Sequence, residues 1–115
     1  MTSQIPEADW RQSRRVHELL LERYCAQILE EITEVANTTA ATAHDRYLRI
    51  ARLIEDRDKD LAQAFDDFKR STAVMKLAIM RRMGLLTDEE MMAFSTQIQD
   101  KIRGISPPVS REYTD

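Results

Sequence analysis

Three glutamates on the first half of the chain raise the question of a metal site. Glu30, Glu31 and Glu34 lie close together in the sequence. A dinuclear site in a helical bundle takes a Glu-x-x-His motif from two of its helices, and neither His17 nor His44 has a Glu three residues before it. The pattern therefore favours a solvated acidic face, and we predict no bound metal. Carboxylates brought together across a dimer keep a metal-binding helical bundle as an alternative function.

Nucleophilic chemistry has little support in the sequence. Cys25 is the single cysteine, and it lies between Leu21 and Ile28 on an apolar stripe, where a small buried side chain is expected. His17 is two helical turns away, beyond hydrogen-bond reach. One thiol excludes an intrachain disulfide and a cysteine-based zinc site. Phosphate-cradling loops need several glycines, and the chain has two. We predict no catalytic residue, no cofactor and no enzymatic activity.

A basic stretch occupies residues 69–82. It contains Lys69, Arg70, Lys76, Arg81 and Arg82, and no acidic residue follows until Asp88. A helix-turn-helix built across Gly84 would open its second helix with three acidic residues, which would meet DNA phosphates. Cations near the end of a helix also complement the helix dipole. Nucleic-acid binding through this stretch is therefore disfavoured and is kept as a second alternative.

Methionines crowd the segment around Gly84, which we call the elbow (residues 80–92). Five of the six methionines lie at positions 75, 80, 83, 91 and 92. Methionine is adaptable and is common at binding surfaces, although the same residues could pack a third helix onto the hairpin. Nearby cations would steer an acidic partner. The predicted partner-binding residues are Lys76, Met80, Arg81, Arg82, Met83, Leu86, Met91 and Met92.

Composition limits the class of protein. The chain has 115 residues, a formal net charge of −3, 43% apolar residues, two glycines and three prolines. Few turn residues and a high charged fraction favour an ordered helical domain. No run of about 18 apolar residues is present, and the N-terminus lacks the features of a signal peptide. We therefore expect a cytoplasmic protein.

Apolar residues repeat with heptad spacing along the first half of the chain. Steps of four, three, four and three residues separate Leu21, Cys25, Ile28, Ile32 and Val35. Such spacing is typical of a coiled coil or a helical bundle. A second apolar stripe through residues 47–79 predicts a second long helix. Six consecutive charged residues at 55–60 interrupt this stripe. We expect the helix to continue through them, with a break at Asp58 or Asp60 as the alternative.

Local signals define the ends of the predicted helices. Asp9 and Thr42 are candidate N-caps, and residues 87–90 (Thr-Asp-Glu-Glu) form a capping box. Gly84 and Gly104 are expected to end helices. The predicted helices cover about 9–36, 43–83 and 88–103, in a single domain of residues 9–104 between mobile tails at 1–8 and 105–115.

The predicted fold is all-α: a long antiparallel helical hairpin plus a short third helix. A two-helix hairpin has little interior, and a small domain buries proportionally little surface. We therefore expect a homodimer in which two hairpins form a four-helix bundle. The predicted function is a non-enzymatic protein–protein interaction module, such as an adaptor, a chaperone or a regulator, which binds itself and a further protein.

Overall fold

A computed structural model describes residues 5–105 of the chain. Within that range the protein is all-α, as predicted, and contains no strand. Its five helices are α1 (Glu7–Ala36), α2 (Ala43–Phe65), α3 (Ala73–Arg82), α4 (Asp88–Met91) and α5 (Thr96–Ile105). None of these helices is long and apolar enough to cross a membrane.

Helix α1 begins earlier than predicted. The amide of Trp10 donates to the carbonyl of Pro6 at 2.9 Å, so the first turn starts at Glu7. Asp9 is not the cap, because its carboxylate accepts hydrogen bonds from the amide and hydroxyl of Ser95, at 2.8 and 2.7 Å. Ile5 is buried in the core. The predicted tail at 1–8 is therefore wrong for residues 5–8, and residues 1–4 lie outside the described range.

The turn between α1 and α2 lies where the sequence predicts it. The Thr42 hydroxyl accepts a hydrogen bond from the amide of Asp45, which confirms Thr42 as the N-cap of α2. Arg46 closes the other side of the turn by donating to the carbonyl of Ala36 at 2.6 Å. This bond satisfies a carbonyl that the end of α1 leaves without a helical partner. The two helices then run antiparallel.

The predicted helix at 43–83 is two helices. The charged run at 55–60 stays helical, because Arg57 and Asp60 bond to side chains of α1. The chain breaks after Phe65 instead. Asp67 adopts a positive φ of 55°, and the Thr72 hydroxyl donates to its carbonyl. Side-chain bonds of this kind compete with the helical backbone pattern. As a result α3 folds back against α1 and α5.

The elbow follows its sequence signals at first and then departs from them. Gly84 has a φ of 81°, the left-handed conformation expected after α3. The capping box of α4 is confirmed. The helix predicted at 88–103 is, however, divided into α4 and α5, because the Ser95 side chain turns back to Asp9 and also accepts from the amide of Ile98. Gly104 lies inside α5, and the predicted tail beyond Ile105 is outside the described residues.

The core lies at one end of an elongated molecule of 55 × 33 × 23 Å. The first half of α1 packs there with α3, α4 and α5. Its fully buried large side chains are Val16, Leu20, Leu77, Met80, Leu85, Met91, Ile98 and Ile102. The other half of α1 and most of α2 extend away from this core as a two-helix stem, which comprises residues 25–36 and 43–61.

Candidate functional site

The structure places most of the predicted partner surface at the elbow inside the core. Met80, Leu86 and Met91 are each less than 5% exposed, and Met83 is partly buried against the same cluster. These side chains hold α3, α4 and α5 together, so they are not accessible to a partner in the folded chain. Met92 differs from them, because 70% of its surface is exposed.

The predicted steering cations largely serve the fold. Lys76 donates to the carbonyl of Gln63 at 2.7 Å, near the end of α2. Arg81 lies 3.3 Å from the carboxylate of Asp88, just beyond the turn. Arg82 is exposed. Of the other cations in the basic stretch, Arg70 pairs with Glu7 at 2.6 Å. The residues of 69–82 therefore do not form one open basic surface.

A partly buried ion pair fastens the elbow to α1. Arg23 donates two hydrogen bonds to the carboxylate of Glu90, at 3.0 and 2.8 Å, and a third to the carbonyl of Leu85 at 2.6 Å. Hydrogen bonding from Arg23 lowers the pKa of Glu90 to about 2, against the opposing effect of burial, and the amide of Thr87 adds to the lowering. The elbow is therefore tied to α1 by charged hydrogen bonds as well as by apolar packing.

The stem presents an open apolar groove on one side. Its volume is about 220 Å³. Leu29 is 62% exposed and Ile54 is 42% exposed at its walls. The groove is lined by Cys25, Ile28, Leu29, Ile54, Arg57, Asp58 and Leu61.

Apolar positions continue along this side of the stem toward the turn. On α1 they are Cys25, Leu29, Ile32 and Ala36, and on α2 they are Ala43, Tyr47, Ile50 and Ile54. Both sets follow steps of four, three and four residues, which keep side chains on one face of a helix. Tyr47 is 68% exposed. We call these eight residues the stem face, and none of them carries a formal charge.

Polar contacts fix the register of the two stem helices. Arg57 donates to both oxygens of Glu31, at 3.0 and 2.9 Å, and this hydrogen bonding lowers the pKa of Glu31. The Tyr24 hydroxyl donates to Asp60 at 3.0 Å. Burial, and then the bond to Asp60, raise the pKa of Tyr24 to about 12. These pairs hold the stem face in a defined geometry.

The apolar positions of the stem face are visible in the sequence, but their spacing alone predicts that they pack between the two helices of the hairpin. Tyr47 and Ile54 belong to the apolar stripe of residues 47–79 that predicts the second helix, and Leu29 lies next to Ile28 of the first heptad stripe. A single two-helix seam covers about two positions per heptad on each helix. The additional apolar positions therefore had to face outward, unless another chain covers them.

The stem contains one thiol and several carboxylates that could in principle do chemistry. Cys25 is half-buried in the groove. Within residues 5–105 no group of three or more His, Cys, Asp or Glu side chains is arranged to hold a metal ion, and Glu31 of the candidate cluster is bonded to Arg57.

Comparison of the chain with protein-family models, with curated proteins and with solved structures gave no match.

Proposed function

We propose that the protein is a non-enzymatic interaction module that works as a homodimer, with the stem face as its interface. The observation that carries this proposal is the exposure of Leu29, Tyr47 and Ile54 on the stem, where Leu29 and Ile54 line the same apolar groove. Contiguous apolar patches of this kind are uncommon on monomeric proteins and mark interaction sites. Two stems packed face to face would form a four-helix bundle, the arrangement that covers such stripes in helical proteins.

A second copy is the occupant that the stem face favours. An interface around a two-fold axis uses the same patch on both subunits, so that patch must be complementary to itself. The eight residues of the stem face carry no charge and have heptad spacing on both helices, so the ridges of one copy can fit the grooves of the other. The charged residues at the groove, Arg57 and Asp58, have opposite signs. The dimer would present α1 and α2 of both copies as one rigid rod, on which a further protein could assemble.

Charged substitutions on the stem face test the proposal. In Leu29→Glu and Ile54→Glu, a carboxylate replaces an exposed side chain, so the folded monomer should persist while the interface is lost. Sedimentation velocity at about 50 µM should give a dimer for the unmodified protein and a monomer for both variants. Circular dichroism should show unchanged helix content.

Met92→Glu is the matched control, because Met92 is also an exposed apolar side chain but lies at the elbow. This variant should remain dimeric. A monomeric Met92→Glu beside dimeric stem variants would place the interface at the elbow and contradict the proposal. A monomeric unmodified protein would contradict it as well.

A further inference from the structure

A second cleft lies away from the stem, between the first half of α1 and the loop that joins α2 to α3. Its volume is about 480 Å³, which is within the range of small-molecule sites. Phe68 lines it from the loop. The α1 residues that line it are Trp10, Arg11, Arg14, Arg15, His17 and Glu18. The lining therefore combines aromatic rings with a concentration of arginines.

The aromatic wall of the cleft is well fixed. The rings of Trp10 and Phe68 are stacked, with centroids 5.7 Å apart and planes at 21°. The centroids of the Phe68 and His17 rings are 4.4 Å apart. Nε2 of His17 is 2.9 Å from the carbonyl of Phe65, the last residue of α2. This bond and these contacts hold the wall in one position against the core.

The charged rim of the cleft is strongly positive. Arg11, Arg14 and Arg15 occupy one face of α1, since positions three and four residues apart are neighbours on a helix. Glu18 is the one acidic lining residue, so with His17 neutral the lining carries a formal charge of +2. Outside the lining, Glu7 offsets part of this charge, because its carboxylate lies 3.7 Å from Arg11. Arg15 donates a hydrogen bond to the neutral amide of Gln12.

The acidic residue nearest the rim responds to this positive charge. Glu7 bonds to Arg70, and this hydrogen bond is the largest cause of its lowered pKa. The charges of Arg11 and Arg14 lower the pKa further. Arg70 also lies over the ring of Trp10, 5.5 Å from its centroid. Cations therefore surround the aromatic wall on the α1 side and on the loop side.

We propose that this cleft binds a ligand that carries both a phosphate and a flat aromatic base, that is, a nucleotide, either free or as a unit of single-stranded nucleic acid. Guanidinium groups donate paired hydrogen bonds to phosphate oxygens, and the net positive charge of the lining attracts a phosphate anion. The edge of the Trp10–Phe68 wall offers an apolar surface for the ring. The Glu18 carboxylate would accept a hydrogen bond from a hydroxyl or amino group of the ligand. This site does not depend on the proposed dimer, because it lies outside the stem face.

Fluorescence titration tests the site directly, because Trp10 is the only tryptophan of the chain. The full-length protein at about 50 mM salt is titrated with adenosine monophosphate, with inorganic phosphate, with adenosine and with a ten-residue oligothymidylate. Adenosine monophosphate should give a saturable change in Trp10 emission. Adenosine and phosphate alone should bind at least about tenfold more weakly, since each supplies only part of the contact.

The oligothymidylate separates the two sources of the ligand. Tighter binding of the strand than of the monophosphate, with a steep loss of affinity as salt rises, would identify nucleic acid as the source. Equal or weaker binding would identify a free nucleotide. Absence of any saturable change with both the monophosphate and the strand at millimolar concentration would overturn the proposal, as would adenosine binding as tightly as its monophosphate.

Variants locate the binding at the cleft. Arg14→Gln and Arg15→Gln should each raise the Kd by about tenfold, because each removes a charged donor. Arg49→Gln and Arg52→Gln are the matched controls, since both arginines are exposed on α2 and do not line the cleft. They should leave the Kd unchanged. Equal losses in cleft and control variants would show nonspecific attraction and would overturn the site.

Discussion

The ion pair between Arg23 and Glu90 gives the sharpest stability prediction. Glu90→Gln removes the charge but keeps the length of the side chain. A glutamine can also keep the capping-box bond to the amide of Thr87. The substitution therefore isolates the charge of Glu90 from its role as a cap, and we expect it to destabilise the protein.

The magnitude follows from the shift in the pKa of Glu90. Its fall from 4.5 to about 2 corresponds to about 3.5 kcal/mol, at about 1.4 kcal/mol per pKa unit. Part of this fall comes from hydrogen bonds with Thr87, which a glutamine can keep. Arg23 is 32% exposed and Glu90 is 19% exposed, so solvent screens part of the interaction. We expect the free energy of unfolding of Glu90→Gln to fall by about 2 kcal/mol at neutral pH.

The pH dependence gives an independent check. The pKa of Glu90 is lower in the folded state than in the unfolded state, so its stabilisation is fully present above about pH 4.5 and is lost as the pH falls toward 2. The unmodified protein and the variant should therefore converge in stability over this interval. Urea unfolding, followed by circular dichroism at one fixed protein concentration, measures both curves.

Glu89→Gln is the control, because Glu89 is an exposed neighbour on the same helix. It should change the free energy of unfolding by less than about 0.5 kcal/mol. A Glu90→Gln loss no larger than the control, or one that stays constant from pH 7 to pH 2, would refute the role assigned to the ion pair.

Four further substitutions, one of them a control, have expected outcomes that thermal or urea unfolding can measure. Gly84→Ala should destabilise by about 1 kcal/mol, because φ is 81° although the space for a methyl group is open. Gly104→Ala should stabilise the protein by up to about 0.5 kcal/mol, since this glycine lies inside α5. A change of stability with the same sign in both glycine variants would contradict the different backbone conformations of Gly84 and Gly104. Asp9→Ala should cost about 2 kcal/mol, because it removes a buried acceptor from two donors of Ser95. Asp100→Ala, at an exposed site, should change the stability little, and equal losses for the two aspartates would argue against the Asp9 interaction.

Local signals were sufficient for the ends of several helices. The cap at Thr42, the left-handed Gly84 and the capping box at 87–90 each depend on residues within one turn of the helix end. The backbone groups at a helix end need partners, and nearby side chains of the right type supply them. For this reason such features can be identified without knowledge of the tertiary structure.

The missed features depend on contacts between distant parts of the chain. No Gly or Pro marks the break of the helix after Phe65. Where the chain turns back toward α1, Phe68 packs on Trp10. The sequence predicts Asp9 as a helix cap. The residue that Asp9 actually bonds, Ser95, is 86 positions away, so no local pattern indicates this bond. Spacing alone also could not separate the apolar residues of the core from those of an open face. For this reason the methionines at the elbow are predicted from the sequence to bind a partner, whereas in the structure Met80 and Met91 are buried.

The mass of the unmodified protein in solution tests the proposed dimer most directly. Size-exclusion chromatography with multi-angle light scattering, at loading concentrations from about 5 to 200 µM, should give twice the chain mass of 13.4 kDa at the upper end. A mass of 13.4 kDa at every concentration, from a sample that unfolds cooperatively, would contradict it, because the stem face would then be stable in contact with water.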